Sequence, residues 1–335
     1  MLLNVLQRIQ TTMLFLSRRI LLLNDGGAQM TERCTLEKNG FTGIWFRGTK
    51  SPEKAIIAAG GASCDEKTSI SMCRYLRNGG YNVLVLGFYL WDGLPKNLVQ
   101  IPVDYVENAV KWLKEEKGVK GIAMTAASTG AGYTLLAASL IPDIGCVIPV
   151  VPYDYVPEGT TQRGLAFKEA HKSQYTWHGQ ELPYTPINIL AEKGMLWWIN
   201  SARKAPGYGM RRFMRYGYDL LESKLLPEAR IKVENMHADV LFLAVKDDDA
   251  WPSDFAVPRM VKVLQENGYP YRVEWKIYER ASHALTDGLD EMRGYAKWAL
   301  NNMLPAEKKY PKECEKARQD SFKRIMRFID EWDVR

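Results

Sequence analysis

From about residue 33 onward the chain alternates short apolar runs with amphipathic stretches, the pattern of strands and helices in turn. Ile44-Trp45-Phe46 and Ala55-Ile56-Ile57-Ala58-Ala59 predict strands, the second running into Gly60-Gly61-Ala62. Ile70 to Leu76 predicts a helix stopped by Gly79-Gly80. Asn82-Val83-Leu84-Val85-Leu86 is continuously apolar after its first residue, as a parallel strand covered on both faces should be. Val103 to Lys114 predicts a helix with Val106, Val110 and Leu113 on one face and Trp112 beside them. A strand over Gly121-Ile122-Ala123-Met124-Thr125, a tight turn, a helix from Gly130 to Ala138 and a strand over Cys146-Val147-Ile148-Pro149-Val150 follow. Far downstream come Val240 to Val245 and Val273 to Tyr278, again strand-like. Repeated βα units of this kind imply an α/β fold, a mostly parallel central sheet with helices on both faces.

Residues 151–235 break that rhythm. They are rich in aromatics, Pro and Gly, and include Tyr153, Tyr155, Tyr175, Trp177, Tyr184, Trp197, Trp198, Tyr208, Phe213, Tyr216 and Tyr218. We expect a cap insertion there, with most of these aromatics packing the cap's own core and some lining a substrate pocket. The core then divides into a first half over 30–150 and a second over 236–304. Over 305–335, Phe322, Ile325, Met326 and Ile329 recur at i, i+3, i+4 and i+7, with Trp332 further on and Phe328 beside the stripe. This is an amphipathic helix, expected to pack on the core, with a contact to a second copy as the alternative.

The first 29 residues are apolar but broken by Arg8, Arg18 and Arg19, and no run in them approaches the roughly 20 residues of a membrane span. No small-residue cleavage site follows a proper apolar segment, so they do not read as a signal peptide. One reading is a basic amphipathic helix lying on a membrane or on the protein. The other, which we favour as an expectation, is that translation starts at Met30. The five cysteines, Cys34, Cys64, Cys73, Cys146 and Cys314, are scattered and odd in number. They argue for reduced thiols and a cytoplasmic setting, and against a disulfide framework or a zinc site. A net charge of +6 with dispersed basic residues gives no nucleic-acid signal.

The chemistry concentrates at the turn Ala126-Ala127-Ser128-Thr129-Gly130, which lifts a serine hydroxyl to the tip of a strand–turn–helix. A serine hydroxyl needs a base to act as a nucleophile near neutral pH. Of the four histidines, His171 and His178 fall in the cap and His237 precedes a strand. His283, in Ser282-His283-Ala284, follows the last strand. An aspartate from Asp247-Asp248-Asp249, after the preceding strand, would orient it. The triple carboxylate lacks the alternating ligands and glycine of a calcium loop, so no metal is expected. The chain order Ser, Asp, His is that of the α/β-hydrolase fold. A tetrahedral intermediate also needs two N–H donors: Thr129 for one, and Ala62 or Gly61 for the other. The usual elbow reads G-x-S-x-G, and Ala126 is the mildest replacement for its first glycine.

With these residues in view, the chain resembles the C-terminal catalytic domain of the acyl-CoA thioesterase and bile acid-CoA:amino acid N-acyltransferase family. The likeness runs through Leu86-Gly87-Phe88-Tyr89, Gly93-Leu94-Pro95-Lys96-Asn97, Pro102 to Val110 and Val119-Lys120-Gly121 to Ser128. It resumes at Arg230-Ile231-Lys232 and Leu241-Phe242-Leu243, then Asp247-Asp248 with Trp251 and Ser253, and closes at His283. The resemblance implies that the second aspartate of the pair, Asp248, completes the triad with Ser128 and His283. It also has departures. The family's first elbow glycine is Ala126, its lysine after the nucleophile is Thr129, and its glycine-rich oxyanion stretch shrinks to Gly60-Gly61-Ala62. Its N-terminal β-sandwich has no counterpart in the roughly 40 residues ahead of the core.

The expectation is therefore a serine hydrolase acting through an acyl-enzyme on a small-molecule acyl thioester, with water as the acceptor and no cofactor. Family members that conjugate amino acids resemble a cysteine-nucleophile pattern, whereas the oxygen ester formed on Ser128 reacts less readily with amines. The rivals are a carboxylesterase or dienelactone-hydrolase-like enzyme on the same triad, and a non-catalytic binding protein that has lost its elbow at Ala126. Arg203, Lys204, Arg211, Arg212 and Arg215 form a basic cluster in the cap, read either as a dock for CoA phosphates or as a solvated helix face.

Overall fold

A computed structural model describes residues 31–335 apart from 63, 164, 165, 210, 211 and 247; the N-terminal extension and Asp247 lie outside the described residues. The first half runs β1 (Thr31–Cys34), α1 (Leu36–Asn39), β2 (Thr42–Phe46), β3 (Lys54–Ala59), α2 (Glu66–Met72), α3 (Arg74–Asn78), β4 (Asn82–Gly87), β5 (Ile101–Pro102), α4 (Asp104–Lys117), β6 (Gly121–Ala127), α5 (Thr129–Leu140) and β7 (Ile144–Val150). The middle contains β8 (Glu158–Arg163), β9 (Ala166–Ser173), β10 (Tyr175–Trp177), β11 (Gln180–Glu181), α6 (Asn188–Lys204) and α7 (Phe213–Leu221). The chain returns with β12 (Asp239–Val245), α8 (Ser253–Glu266), β13 (Val273–Tyr278), α9 (Gly294–Met303), α10 (Pro305–Lys309) and α11 (Pro311–Glu331).

Eight strands form one sheet in the order β1-β2-β4-β3-β6-β7-β12-β13. The β1–β2 and β2–β4 pairs are antiparallel, and every other neighbouring pair is parallel. Side-chain parity explains the unbroken apolar runs. Ile57, Leu84, Leu86, Met124 and Phe242 point into one core, and their neighbours Ile56, Val83, Val85, Ala123 and Leu241 into a second on the opposite face. The first core takes Val106, Val110 and Leu113 of α4, much of α5, and Val257, Met260 and Leu264 of α8. Leu76 of α3 and Ile325, Phe328 and Ile329 of α11 close the second. The α/β expectation therefore holds, with helices on both faces.

Two details differ from the sequence reading. The helix expected over Ile70 to Leu76 is two helices, α2 and α3, divided at Cys73. It starts early because Asp65 caps it, accepting the Thr68 N–H at 2.9 Å, a signal outside the apolar stretch. Among the described residues, part of the middle segment packs beyond itself. Tyr153 and Tyr175 join the first core, with Trp177, Tyr184 and Tyr218 packed against it, and among the described residues Ile187 and Leu221 form a separate cluster with Trp198 and Tyr218 against them. The segment is anchored through β10, which pairs with β5 in a small separate sheet. Among the described residues no helix is long and apolar enough to cross a membrane.

Candidate active site

Ser128, Asp248 and His283 each follow the C-terminal end of a sheet strand, β6, β12 and β13 respectively, and Gly60-Gly61-Ala62 follow β3. In an open parallel sheet this edge is where ligands gather. Ser128 has φ 62° and ψ −131°, a conformation that costs a non-glycine residue about 1–3 kcal/mol and persists only when its surroundings impose it. Here the Ser128 N–H donates to the Val150 carbonyl at 2.9 Å, and α5 starts at the next residue. The hydroxyl thus sits at the N-terminus of a 12-residue helix, whose first amide, Thr129 N–H, has no partner within the helix.

The packing around this turn accounts for Ala126. A Cβ on Gly130 would lie 2.1 Å from the Gly60 carbonyl oxygen and 2.8 Å from the Ala126 Cβ. The methyl of Ala126 fits because Gly130 has none, so the pair Ala126 and Gly130 holds the same space as two glycines with one methyl added. Gly61 packs on the serine from the other side, where a Cβ would come within 3.1 Å of both the Ala127 carbonyl oxygen and the Ser128 Cβ. The Gly61 N–H donates to Cys64 Sγ at 3.2 Å, while Ala62 is exposed. Of the two residues expected near an oxyanion, Gly61 therefore has its amide engaged.

His283 Nε2 lies 2.9 Å from Ser128 Oγ, and His283 Nδ1 lies 2.7 Å from Asp248 Oδ1. The Asp248 carboxylate is fully buried. Its Oδ1 also accepts the N–H groups of Ala250 and Trp251, at 2.9 and 3.3 Å, and its Oδ2 accepts the Ser253 hydroxyl at 2.7 Å. Arg215 donates to its backbone carbonyl at 3.3 Å. Trp251 packs edge-on against the imidazole with centroids 4.7 Å apart, and its indole N–H is tied to the Val151 carbonyl at 3.0 Å. Trp251 and Ser253 carry part of the family resemblance, which assigns them no role. A serine five residues past an acid, at the start of a helix, was the available signal.

Asp249 meets a different environment. It is buried, one carboxylate oxygen has no hydrogen-bond partner, and its cation, Arg212, stands 3.8 Å away. Burial, and then the charge of Asp248 beside it, push its carboxyl up to about 7. The basic cluster of the cap accordingly does not form one face. Arg203 and Lys204 are exposed on the last turn of α6, Arg212 turns towards Asp249, and buried Arg215 pairs with Asp219 at 2.8 Å and Asp254 at 3.1 Å; Arg211 lies outside the described residues. Away from this site, Asp104 and Glu107 on the first turn of α4 meet His178 at the β10–β11 turn with the spacing of metal ligands. Both already serve the histidine: Glu107 Oε2 lies 2.9 Å from its Nε2, and Asp104 accepts its backbone N–H.

Comparison with known proteins shows the family and the fold. Residues 101–287 match the family model described as BAAT / Acyl-CoA thioester hydrolase C terminal. The chain is 26% identical over 216 residues to acyl-coenzyme A thioesterase 1 of Mus musculus, covering 64% of this chain and 43% of that protein. It is 36% identical over 191 residues to the peroxisomal succinyl-coenzyme A thioesterase of the same organism, covering 56% and 39%. It thus spans about two fifths of the length of these relatives. In fold it is similar to a hyperthermophilic esterase from Pyrobaculum calidifontis, with a TM-score of 0.56 at 15% identity, covering 99% of this chain and 94% of the esterase. The chain belongs to the BAAT/acyl-CoA thioester hydrolase C-terminal domain family, on an α/β-hydrolase-type sheet.

Proposed function

We propose that this protein is a serine hydrolase that cleaves acyl-CoA thioesters through an acyl-enzyme on Ser128. The observation that carries the reading is the continuous hydrogen-bonded relay Ser128–His283–Asp248, with the serine held at φ 62° on the start of α5. In the first half-reaction Ser128 Oγ attacks the thioester carbonyl carbon while His283 Nε2 takes the hydroxyl proton. Asp248, saturated with donors, holds the ring by its Nδ1–H and stabilises the imidazolium. The carbonyl oxygen becomes an oxyanion and is received by the N–H groups of Thr129 and Ala62, Gly61 having given its own to Cys64. The C–S bond then breaks, the thiol leaves with the proton from His283, and an ester remains on Ser128. Water repeats the sequence: it gives a proton to His283, adds to the ester carbon, and the C–Oγ bond breaks as Ser128 is reprotonated. The products are a carboxylic acid and a free thiol.

The family supports an acyl-CoA as substrate, and the succinyl-coenzyme A thioesterase among the relatives marks short dicarboxylyl chains as acyl groups to include in a panel. The test is to treat wild type and Ser128→Ala with a fluorophosphonate, then with matched acyl-CoA thioesters and oxygen esters. Labelling and thioester turnover confined to wild type support the reading; faster oxygen-ester turnover, unaffected by CoA, would replace it with an esterase. A folded wild-type protein that takes no label would defeat the nucleophile assignment.

A further inference from the structure

His283 is held from behind as well as from the site. Its neighbour Ser282, fully buried, donates its hydroxyl to Glu307 Oε1 at 2.5 Å and accepts the Ala284 N–H at 3.2 Å. Glu307, on α10, is itself fully buried and pairs with Arg318 of α11, Nη1 to Oε1, at 2.5 Å. Arg318 is only 1% exposed. The same guanidinium donates to the Ala284 carbonyl at 3.3 Å and through Nε to Asp290 at 3.0 and 3.1 Å. Lys297 of α9 stands 3.6 Å from Glu307, so two cations face two carboxylates. Both chain neighbours of the histidine thus hang on one buried ion group.

Docking α11 does not require these charges. The helix already inserts Ile325, Phe328 and Ile329 into the second core, and a buried ion group is commonly no more stabilising than apolar residues of the same volume. What the group supplies is position. One planar fork reaches Glu307, Asp290 and the Ala284 carbonyl from different nitrogens of one rigid group, where a lysine would offer a single nitrogen on a flexible stem.

We propose that Glu307 and Arg318 are positioning residues for the hydrolytic reaction: by holding Ser282 and Ala284 they set the imidazole of His283 between Asp248 and Ser128. The proposal rests on the reading of His283 as the base. Both residues lie beyond the segment 101–287 that the family model matches, so the device belongs to the part of this chain outside that match. The relay it sets is short, 2.7 and 2.9 Å on its two sides, and a shift of about 1 Å at a reacting group costs about 10²-fold in rate.

Three variants test it. Ser282→Ala removes the hydroxyl link and leaves the ion group intact. Arg318→Lys keeps the charge and loses the fork. The double variant Glu307→Leu with Arg318→Met removes both charges together at similar volume. Thermal unfolding, kcat and KM on an acyl-CoA, their pH profile, and the rate of fluorophosphonate labelling of Ser128 are measured on each. The expected result is a loss of about 10- to 100-fold in kcat, with KM little changed, labelling slowed in parallel and the acid limb of the pH profile displaced. A folded double variant should show the same loss. Wild-type labelling and kcat in that folded variant, or in Ser282→Ala should the double variant fail to fold, would overturn the proposal while leaving the triad intact. A folded wild type that takes no label would overturn the triad reading and the positioning role with it.

Discussion

Asp248 and Asp249 are adjacent in the chain and meet opposite environments. Asp248 accepts from His283, Ser253 and two backbone amides, whereas Asp249 is buried with one oxygen unpartnered and its arginine at 3.8 Å. Burial holds the Asp249 carboxyl at about 7, above its ordinary 3.8, so the folded protein keeps a proton there that the unfolded chain has released. That contribution to stability is fully present below the unfolded value and is lost as pH rises through about 7. At about 1.4 kcal/mol per pH unit of displacement the loss is up to about 4 kcal/mol. Asp249→Asn should remove it: the variant should be more stable than wild type at pH 8 by about 1–4 kcal/mol and nearly equal at pH 4, read by chemical denaturation across that range. No sequence pattern separates these two acids. Which one faces the histidine is set by how the turn leaves β12, and only the family resemblance pointed to Asp248. Ser128 and His283 were legible because each is the one residue of its chemistry on the right loop.

At the level of elements, α11 shows what hydrophobic spacing does and does not reveal. The stripe Phe322, Ile325, Met326 and Ile329 predicts a helix docked by one face, and the helix does dock on the core. Its buried face is rotated from that stripe. It runs through Cys314, Ala317, Arg318, Ser321, Ile325, Phe328 and Ile329, while Phe322 lies aside and stacks on Tyr75 at 4.5 Å. An arginine and a serine on the inner face shift the apparent centre, because a charge that is paired out of sight reads as a solvent position. Phe328 is the better measure of docking: it is fully buried in the second core, with the Arg272 guanidinium 4.5 Å from its ring centroid. Phe328→Ala should cost about 3–5 kcal/mol in denaturant unfolding, whereas Phe322→Ala, on a half-buried ring, should cost clearly less. Some cap aromatics pack outside the cap, which spacing does not reveal either. Tyr153 and Tyr175 belong to the main core because β10 pairs with β5 and brings that segment down beside α5. Gly132 leaves room for the Tyr153 ring, which would lie 2.2 Å from a Cβ there. Such a pairing between segments some 70 residues apart has no local signature.

For the whole molecule, the fold was legible because a parallel sheet covered on both faces writes itself as apolar runs separated by helices, and because the serine, aspartate and histidine proposed as nucleophile, acid and base arrive in chain order at one edge of that sheet. What the proposed acyl-enzyme does next depends on the bond at that edge. An ester on Ser128 is a poorer acyl donor to amines than a thioester. Hydrolysis should therefore dominate in wild type even with an amino acid such as glycine in large excess, with the free acid as the main product by mass spectrometry. Ser128→Cys keeps the elbow, since Gly61 and Gly130 leave the backbone as it is, and converts the intermediate to a thioester. Its amide-to-acid product ratio should rise severalfold over wild type at the same amine concentration, even as total turnover falls. An unchanged ratio would show that the acceptor is chosen by binding in the cap rather than by the reactivity of the acyl bond. Aminolysis by the wild-type serine enzyme at rates matching hydrolysis would make this chain a transferase on a hydrolase relay.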